Sequence, residues 1–179
     1  MKFAIRAALG LSLLLAAPAF AHAAPTAVQT AALMPAHVQA VQDLLGAMQI
    51  DKALRGVAGR SSYTNDAQRR AVFAKLDRTP PAEIYQRLAP QLAHFISADT
   101  AAEMARFYRT PYGKRVIRER YDSRAQIIIP GMAPAVAPEE RQARKRAAYV
   151  KASKELADAQ PMIEREEFKL LQKIDKEKR

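Results

Sequence analysis

The chain has 179 residues, with 29 Lys and Arg against 18 Asp and Glu, for a formal net charge of +11. It contains no cysteine, which excludes disulfide stapling, thiolate metal sites and cysteine nucleophiles. The length fits one domain with a real core, held by packing alone.

Lys2 and Arg6 precede a short apolar run, Ala7 to Ala17, too short to cross a bilayer comfortably. Small-x-small sites follow at Ala19-Phe20-Ala21 and Ala21-His22-Ala23. Residues 1–23 therefore read as a secretory signal, cut after Ala21 or Ala23, with the periplasm as the expected address. These residues carry two basic and no acidic side chains, so the mature chain keeps 27 basic against 18 acidic residues, a balance of +9. In a cytoplasmic protein that balance would suggest nucleic acid. In an exported one the available polyanions are lipid headgroups, wall polymers and acidic proteins. Nucleic acid is not expected as a partner, and neither is a stable membrane span.

Residues 24–34, rich in Ala, Thr and Pro, read as a flexible lead-in. A helix then opens at Pro35, with Val38, Val41, Leu45 and Met48 on one face. Asp51 is the expected cap of a short second helix carrying Leu54 and Val57, with Gly59 as its stop. Arg60 to Thr64 reads as loop. Asn65 or Asp66 caps a third helix bearing Ala67, Val72, Phe73 and Leu76. Thr79-Pro80-Pro81 forces a break. The next helix, near Ala82 to Phe95, carries Ile84, Tyr85, Leu88, Leu92 and Phe95, and its apolar face runs through Pro90, which favours a kink over a split.

The most sharply written stretch is Ile96 to Ile117. Ser97 or Thr100 can cap a helix start, and Thr100 with Glu103 fits a capping box. Ala101, Met104, Phe107 and Tyr108 form an apolar face. Thr110-Pro111 reads as a second start, with Thr110 as cap and Pro111 in the first turn, where its missing N–H costs nothing. Gly113 lies inside that turn, where it lowers helix propensity, so a close backbone approach by a neighbour is expected. The helix should run on through Val116, Ile117, Tyr121, Ala125, Ile128 and Met132. Pro130, Gly131, Pro134 and Pro138 mark a connection. Pro138 starts a last basic segment with Tyr149, Ala152 and Leu156 as a thin apolar stripe. Pro161 is expected to interrupt it before a final stretch with Ile163, Leu170, Leu171 and Ile174 buried and frayed ends.

The fold class is therefore all-α: an irregular bundle of some six to eight helices, with a helical domain over 35–133 and basic C-terminal helices over 134–179 that can pack on it. Phe107-Tyr108-Arg109-Thr110-Pro111-Tyr112-Gly113-Lys114 resembles the mark of a bacterial family of exported helical proteins classed as a domain of unknown function, Phe-Tyr-x-Ser/Thr-Pro-x-Gly-Lys. The similarity covers about Val38 to Met132. It implies an all-helical exported domain and no activity, with Phe107, Tyr108, Thr110, Pro111 and Gly113 as positions that mark the fold.

The sequence offers little chemistry. His37 and His94 stand far apart without nearby paired carboxylates, which leaves no metal site, and His37 reads as a helix-surface residue. No G-x-S-x-G elbow or phosphate-cradling glycine loop occurs, and Ser61, Ser62, Ser97, Ser123 and Ser153 fall in loop, cap or surface contexts. Asp99 and Glu103 can share a face, which is better explained as acids near a helix start. No cofactor or enzymatic activity is expected. Charge is the strongest remaining feature: Arg109 to Lys151 holds 11 basic and four acidic residues. If their helices lie side by side, Lys114, Arg115 and Arg118 join Arg141, Arg144 and Lys145 in one anion-binding patch. Three functional readings follow: a non-catalytic exported interaction module, a salt-sensitive binder of anionic envelope polymers or lipid, and a periplasmic holdase using the thin C-terminal stripes as a client surface.

Overall fold

The computed structural model describes residues 34–122 and 136–177. Over these residues the chain is helix and turn with no strand. The elements are α1 (Pro35–Ala47), α2 (Ile50–Arg60), α3 (Asp66–Arg78), α4 (Pro81–Leu92), α5 (Ala98–Arg109), α6 (Pro111–Asp122), α7 (Pro138–Ala143) and α8 (Ala147–Lys176). No helix among them is long and apolar enough to cross a membrane. The expected signal, the expected lead-in up to residue 33, the expected continuation of α6 through Ala125, Ile128 and Met132, Ser123, Arg124, and the expected connection with Pro130, Gly131 and Pro134 lie outside the described residues.

The breaks fall where local chemistry puts them. Asn65 caps α3 by accepting from the Gln68 N–H at 2.9 Å. Pro81 opens α4 in the first turn. Ser97 caps α5, accepting from the Thr100 N–H at 3.3 Å. Pro90 lies inside α4 and the helix runs through it to Leu92. The carbonyl it frees belongs to Gln86, on the exposed side, where water can satisfy it.

α5 is the central rod. It packs on α1 along one side and on α8 along another, while α4 packs against both α1 and α8. The core is the meeting of these faces: Val41, Leu44 and Leu45 from α1, Leu88 and Leu92 from α4, Ala101 and Met104 from α5, all essentially buried. α8 also lies along α2 and α3, so the C-terminal segment is a wall of the same bundle.

α5 and α6 meet at a corner built on Thr110. The Thr110 hydroxyl donates to the Phe107 carbonyl at 2.7 Å and accepts from the Gly113 N–H at 3.0 Å, and the Thr110 N–H donates to the same Phe107 carbonyl at 3.0 Å. This brings the first turn of α6 onto the last turn of α5. A Cβ on Gly113 would lie 2.1 Å from the Phe107 carbonyl oxygen and 2.6 Å from the Tyr108 Cα. The close approach expected at Gly113 is thus made by the backbone of the preceding helix. Phe107 anchors the corner: its ring centroid lies 5.4 Å from Tyr108, 6.0 Å from Tyr112 and 4.8 Å from Tyr149 of α8. Such tilted and edge-on pairs contribute about 0.5–1.5 kcal/mol each beyond burial.

Several expectations are corrected. Thr100 and Glu103 do not form a capping box. The reach back to the cap is made from α8: Glu155 accepts from the Ser97 N–H at 2.6 Å and from the Thr100 hydroxyl at 2.8 Å. Asp51 does not cap α2. Its cap is Gln49, in the left-handed region at φ 52°, and Asp51 instead accepts from the Tyr85 hydroxyl at 2.5 Å. Gly59 does not stop α2, which ends at Arg60. Phe95 is 43 % exposed, because the chain leaves α4 at Leu92 and turns Ile96 inward instead.

Pro161 does not interrupt the last helix. α8 runs unbroken for 30 residues, about 45 Å at 1.5 Å per residue. Its buried positions, Tyr149, Ala152, Leu156, Ala159, Ile163, Glu166 or Glu167, and Leu170, alternate steps of three and four straight past the proline. Pro161 and Ala157, whose carbonyl it frees, both face solvent. Up to Glu177 the end of α8 is tied down, with Asp175 accepting from the Gln68 amide at 3.1 Å and Glu177 from Arg87 at 2.5 Å; Lys178 and Arg179, where fraying was also expected, lie outside the described residues.

Gly113→Ala should destabilise the fold by about 3 kcal/mol or more, since backbone atoms of two helices must part to admit one methyl group. Gly59→Ala, whose Cβ meets nothing within 4 Å, should instead stabilise by roughly 0.5–1 kcal/mol. Urea unfolding of both variants checks the contrast.

Candidate functional site

Three clefts gather the side chains that the fold leaves with chemistry to offer. The first lies beside the corner. Phe107, Thr110, Pro111 and Tyr112 line it from the corner, Pro138, Glu139, Gln142 and Ala143 from α7, and Arg146 from the start of α8. Its volume is about 700 Å³ and its lining is mainly apolar. Its two sides are tied together through Glu140. The Tyr112 hydroxyl donates to Glu140 at 2.9 Å, and Arg144 donates to the same carboxylate at 2.6 and 3.1 Å. Arg144 is the main reason that the Glu140 carboxyl is held below its usual range. Burial, followed by the hydrogen bond to Glu140 and then its charge, pushes the Tyr112 phenol up to about 12. Of the five positions that the family resemblance singles out, Phe107, Thr110 and Pro111 line this groove, whereas Gly113 and Tyr108 do not.

The second cleft, of about 320 Å³, opens between the α1–α2 junction and α6. Lys52, Arg109, Lys114 and Arg118 line it, with Asp122 as the single acid. Arg109 is also paired with Asp43 at 3.3 Å.

This geometry bears on the six-residue basic patch expected from the sequence. Lys114 and Arg118 come together, but beside Lys52 and Arg109, and none of Arg141, Arg144 and Lys145 lines their cleft. Arg115 instead approaches Glu139 at 3.7 Å and stacks over the Tyr112 ring at 5.0 Å. Arg141 donates to the Val136 carbonyl at 2.5 Å, and Lys145 is exposed. Where α6 and α7 meet, the acids of α7 intervene between the cations.

The third cleft, of about 210 Å³, lies between α2, α6 and α8. Lys52 and Arg60 enter from α2, Arg120 and Tyr121 from α6, and Gln160, Glu164 and Glu167 from α8. Glu164 accepts from the Gln160 amide at 2.9 Å, and the Tyr121 hydroxyl donates to the Met48 carbonyl at 3.1 Å. Glu167 is 2 % exposed, and its buried Oε1 has no hydrogen-bond partner among the described residues. Burial, reinforced by the Glu164 charge and only partly offset by Arg120 and Arg60, pushes the Glu167 carboxyl up to about 7.

No protein-family model, curated protein or solved structure matches this chain, so its clefts carry the functional reading alone.

The remaining candidates of the sequence find structural places. Glu103 is buried, with Arg106 beside one oxygen and Arg146 2.7 Å from the other, so it is not free to act with Asp99. His37 is half-buried rather than a free surface residue, and its Nε2 lies 2.7 Å from the Ile96 carbonyl, which fixes that nitrogen as the donor. His94 is exposed. The described residues hold no cluster of acids and histidines that could grip a metal ion. The C-terminal stripe of Tyr149, Ala152, Leu156, Ile163, Leu170, Leu171 and Ile174 is buried against the bundle, which removes the exposed client surface that a holdase reading needs.

Glu167, Lys52 and Arg60 escaped the sequence reading. The Glu164-Arg165-Glu166-Glu167 run looks like a solvated face. Only the three–four alternation carried across Pro161 puts Glu167 on the buried side.

The raised carboxyl has a consequence for stability. Folded Glu167 holds its proton up to about 7, whereas a free glutamate loses it near 4.5. Stability should therefore be greatest below 4.5 as far as this group is concerned, fall as pH rises through about 7, and level off above. Glu167→Gln should remove that component and be the more stable protein at pH 8, by on the order of 1–3 kcal/mol. Paired urea titrations at pH 4.5, 6 and 8 measure the difference.

Proposed function

We propose that this chain is a non-catalytic, exported helical interaction module of the bacterial envelope, a member of the exported family that its corner resembles. It works by receiving an apolar side-chain cluster of an envelope protein in the groove beside that corner. The observation that carries this reading is the groove itself. Its apolar walls come from the end of α5, the start of α6 and α7, held by the Thr110 and Tyr112 hydrogen bonds, on the side where Phe107, Thr110 and Pro111 converge. Pockets that hold a partner's anchor residue are typically pre-formed, apolar and rimmed by polar groups. Support for export is sequence-based: the Lys2 and Arg6 start, the short apolar run and the small-x-small sites.

A photo-crosslinking residue placed at Gln142 should capture an envelope protein in intact cells, and one at Lys154, on the exposed face of α8, should not. Ala143→Arg, which fills the groove, should reduce the Gln142 adduct at least tenfold. An adduct insensitive to Ala143→Arg, or equal capture at Lys154, would reject the groove as the docking surface.

The basic cleft favours a second reading, salt-sensitive attachment to anionic lipid or wall polymer. Four cations around one opening make a local positive field that attracts polyanions and weakens as salt screens it. Binding to phosphatidylglycerol vesicles should fall severalfold in the Lys114→Glu/Arg118→Glu variant and remain unchanged in Arg144→Glu, whose guanidinium is taken by Glu140. Equal loss in both variants would point to net charge alone.

A further inference from the structure

Glu167 poses a problem that the interaction reading does not absorb. A carboxylate oxygen buried without a donor costs stability. It persists on a helix where an apolar residue would continue the stripe of Ile163, Leu170 and Ile174. The oxygen belongs to a side chain lining a cleft whose walls are more polar than apolar. Three cations, Lys52, Arg60 and Arg120, share the cleft with Glu164 and Glu167. Neither Arg60 nor Arg120 is in an ion pair among the described residues.

The two signs of charge restrict what can enter. A simple amine would meet Glu167 but face three cations. A simple carboxylate would meet Arg60 and Arg120 but face two acids. A molecule with both groups a few atoms apart satisfies both ends. The volume of about 210 Å³ falls below the range of roughly 300–1,000 Å³ usual for drug-sized ligands, so the occupant is small.

We infer that the cleft between α2, α6 and α8 is a binding site for a free amino acid, its ammonium group donating to Glu167 and its carboxylate held by Arg60 and Arg120. The described lining holds no serine, threonine or histidine, and binding alone is inferred at this site, with no chemical step. It is separate from the corner groove, and neither proposal depends on the other.

The pH dependence follows from the groups facing Glu167. Burial holds its carboxyl up to about 7, against the opposing pull of Arg120 and Arg60. Lys52 and Arg60 face it from α2, Arg120 and Tyr121 from α6, and Glu164 from its own helix. An ammonium ligand prefers the ionised carboxylate, so it must displace the proton below that pH. Affinity should rise by up to tenfold per unit as pH climbs towards about 7 and flatten above it.

The test is isothermal titration of the purified full chain at pH 8 with L-alanine and L-lysine, with propylamine and propionate as single-headed controls. Expected results are saturable binding of at least one amino acid and at least tenfold weaker binding of both controls. Glu167→Gln and Arg120→Gln should each weaken the amino acid at least tenfold, and wild-type affinity should fall at pH 5.5. Circular dichroism establishes that each variant is folded. If Glu167→Gln does not fold, Arg120→Gln and the pH series decide. No heat and no thermal shift with either amino acid would overturn the inference. So would propylamine or propionate binding as well as the amino acid, or affinity independent of pH in a folded Arg120→Gln variant that binds like wild type.

Discussion

The contact on which the rest of the bundle depends is backbone against backbone, where Gly113 of α6 rests on the Phe107 carbonyl of α5. A hydrogen atom fits there and a methyl group does not. That approach lets one threonine hydroxyl serve two helices, donating to the end of α5 and accepting from the start of α6. It also fixes where Phe107 points, and Phe107 is the ring on which Tyr108, Tyr112 and Tyr149 gather. Loosening the corner would shift the packing of α8 on α5 and one wall of the apolar groove together. The packing of the bundle and the shape of the groove therefore depend on the same few residues.

Much of this was legible in the sequence because the signals are local. Asn65, Ser97 and Thr110 cap helices through their own neighbours three residues on, and proline in a first turn needs no distant partner. The tension at Gly113 was also visible, since a glycine inside a helix start has to be compensated. What failed to show were contacts closed over distance. Thr100 and Glu103 have capping-box spacing, but Glu155 approaches from α8, displaces the local option and leaves Glu103 to pair with Arg146. The Glu155 carboxyl records the outcome: burial would raise its pKa, but the Ser97 and Thr100 donors and the Lys151 charge outweigh that and hold it low.

The clefts were less legible than the fold, for a related reason. Counting charge along α6 and α7 cannot say which side of each helix a cation faces, nor that Glu139 and Glu140 sit between them. Lys52 belongs to a helix far away in sequence, yet lies between two clefts and contributes to both. Pro161 misled in the opposite direction. A proline inside a helix costs one hydrogen bond, and on the solvent face of a long, well-packed rod that loss is affordable.

The position of α8 in the order of synthesis has its own consequence. Translation proceeds from the amino terminus, so α1 to α5 exist before the strand of chain that walls them in has left the ribosome. Until then Met104, Leu88 and Phe107 lack one side of their enclosure, and the Ser97 end of α5 lacks its Glu155. Closure of the bundle is thus reserved for the finished chain.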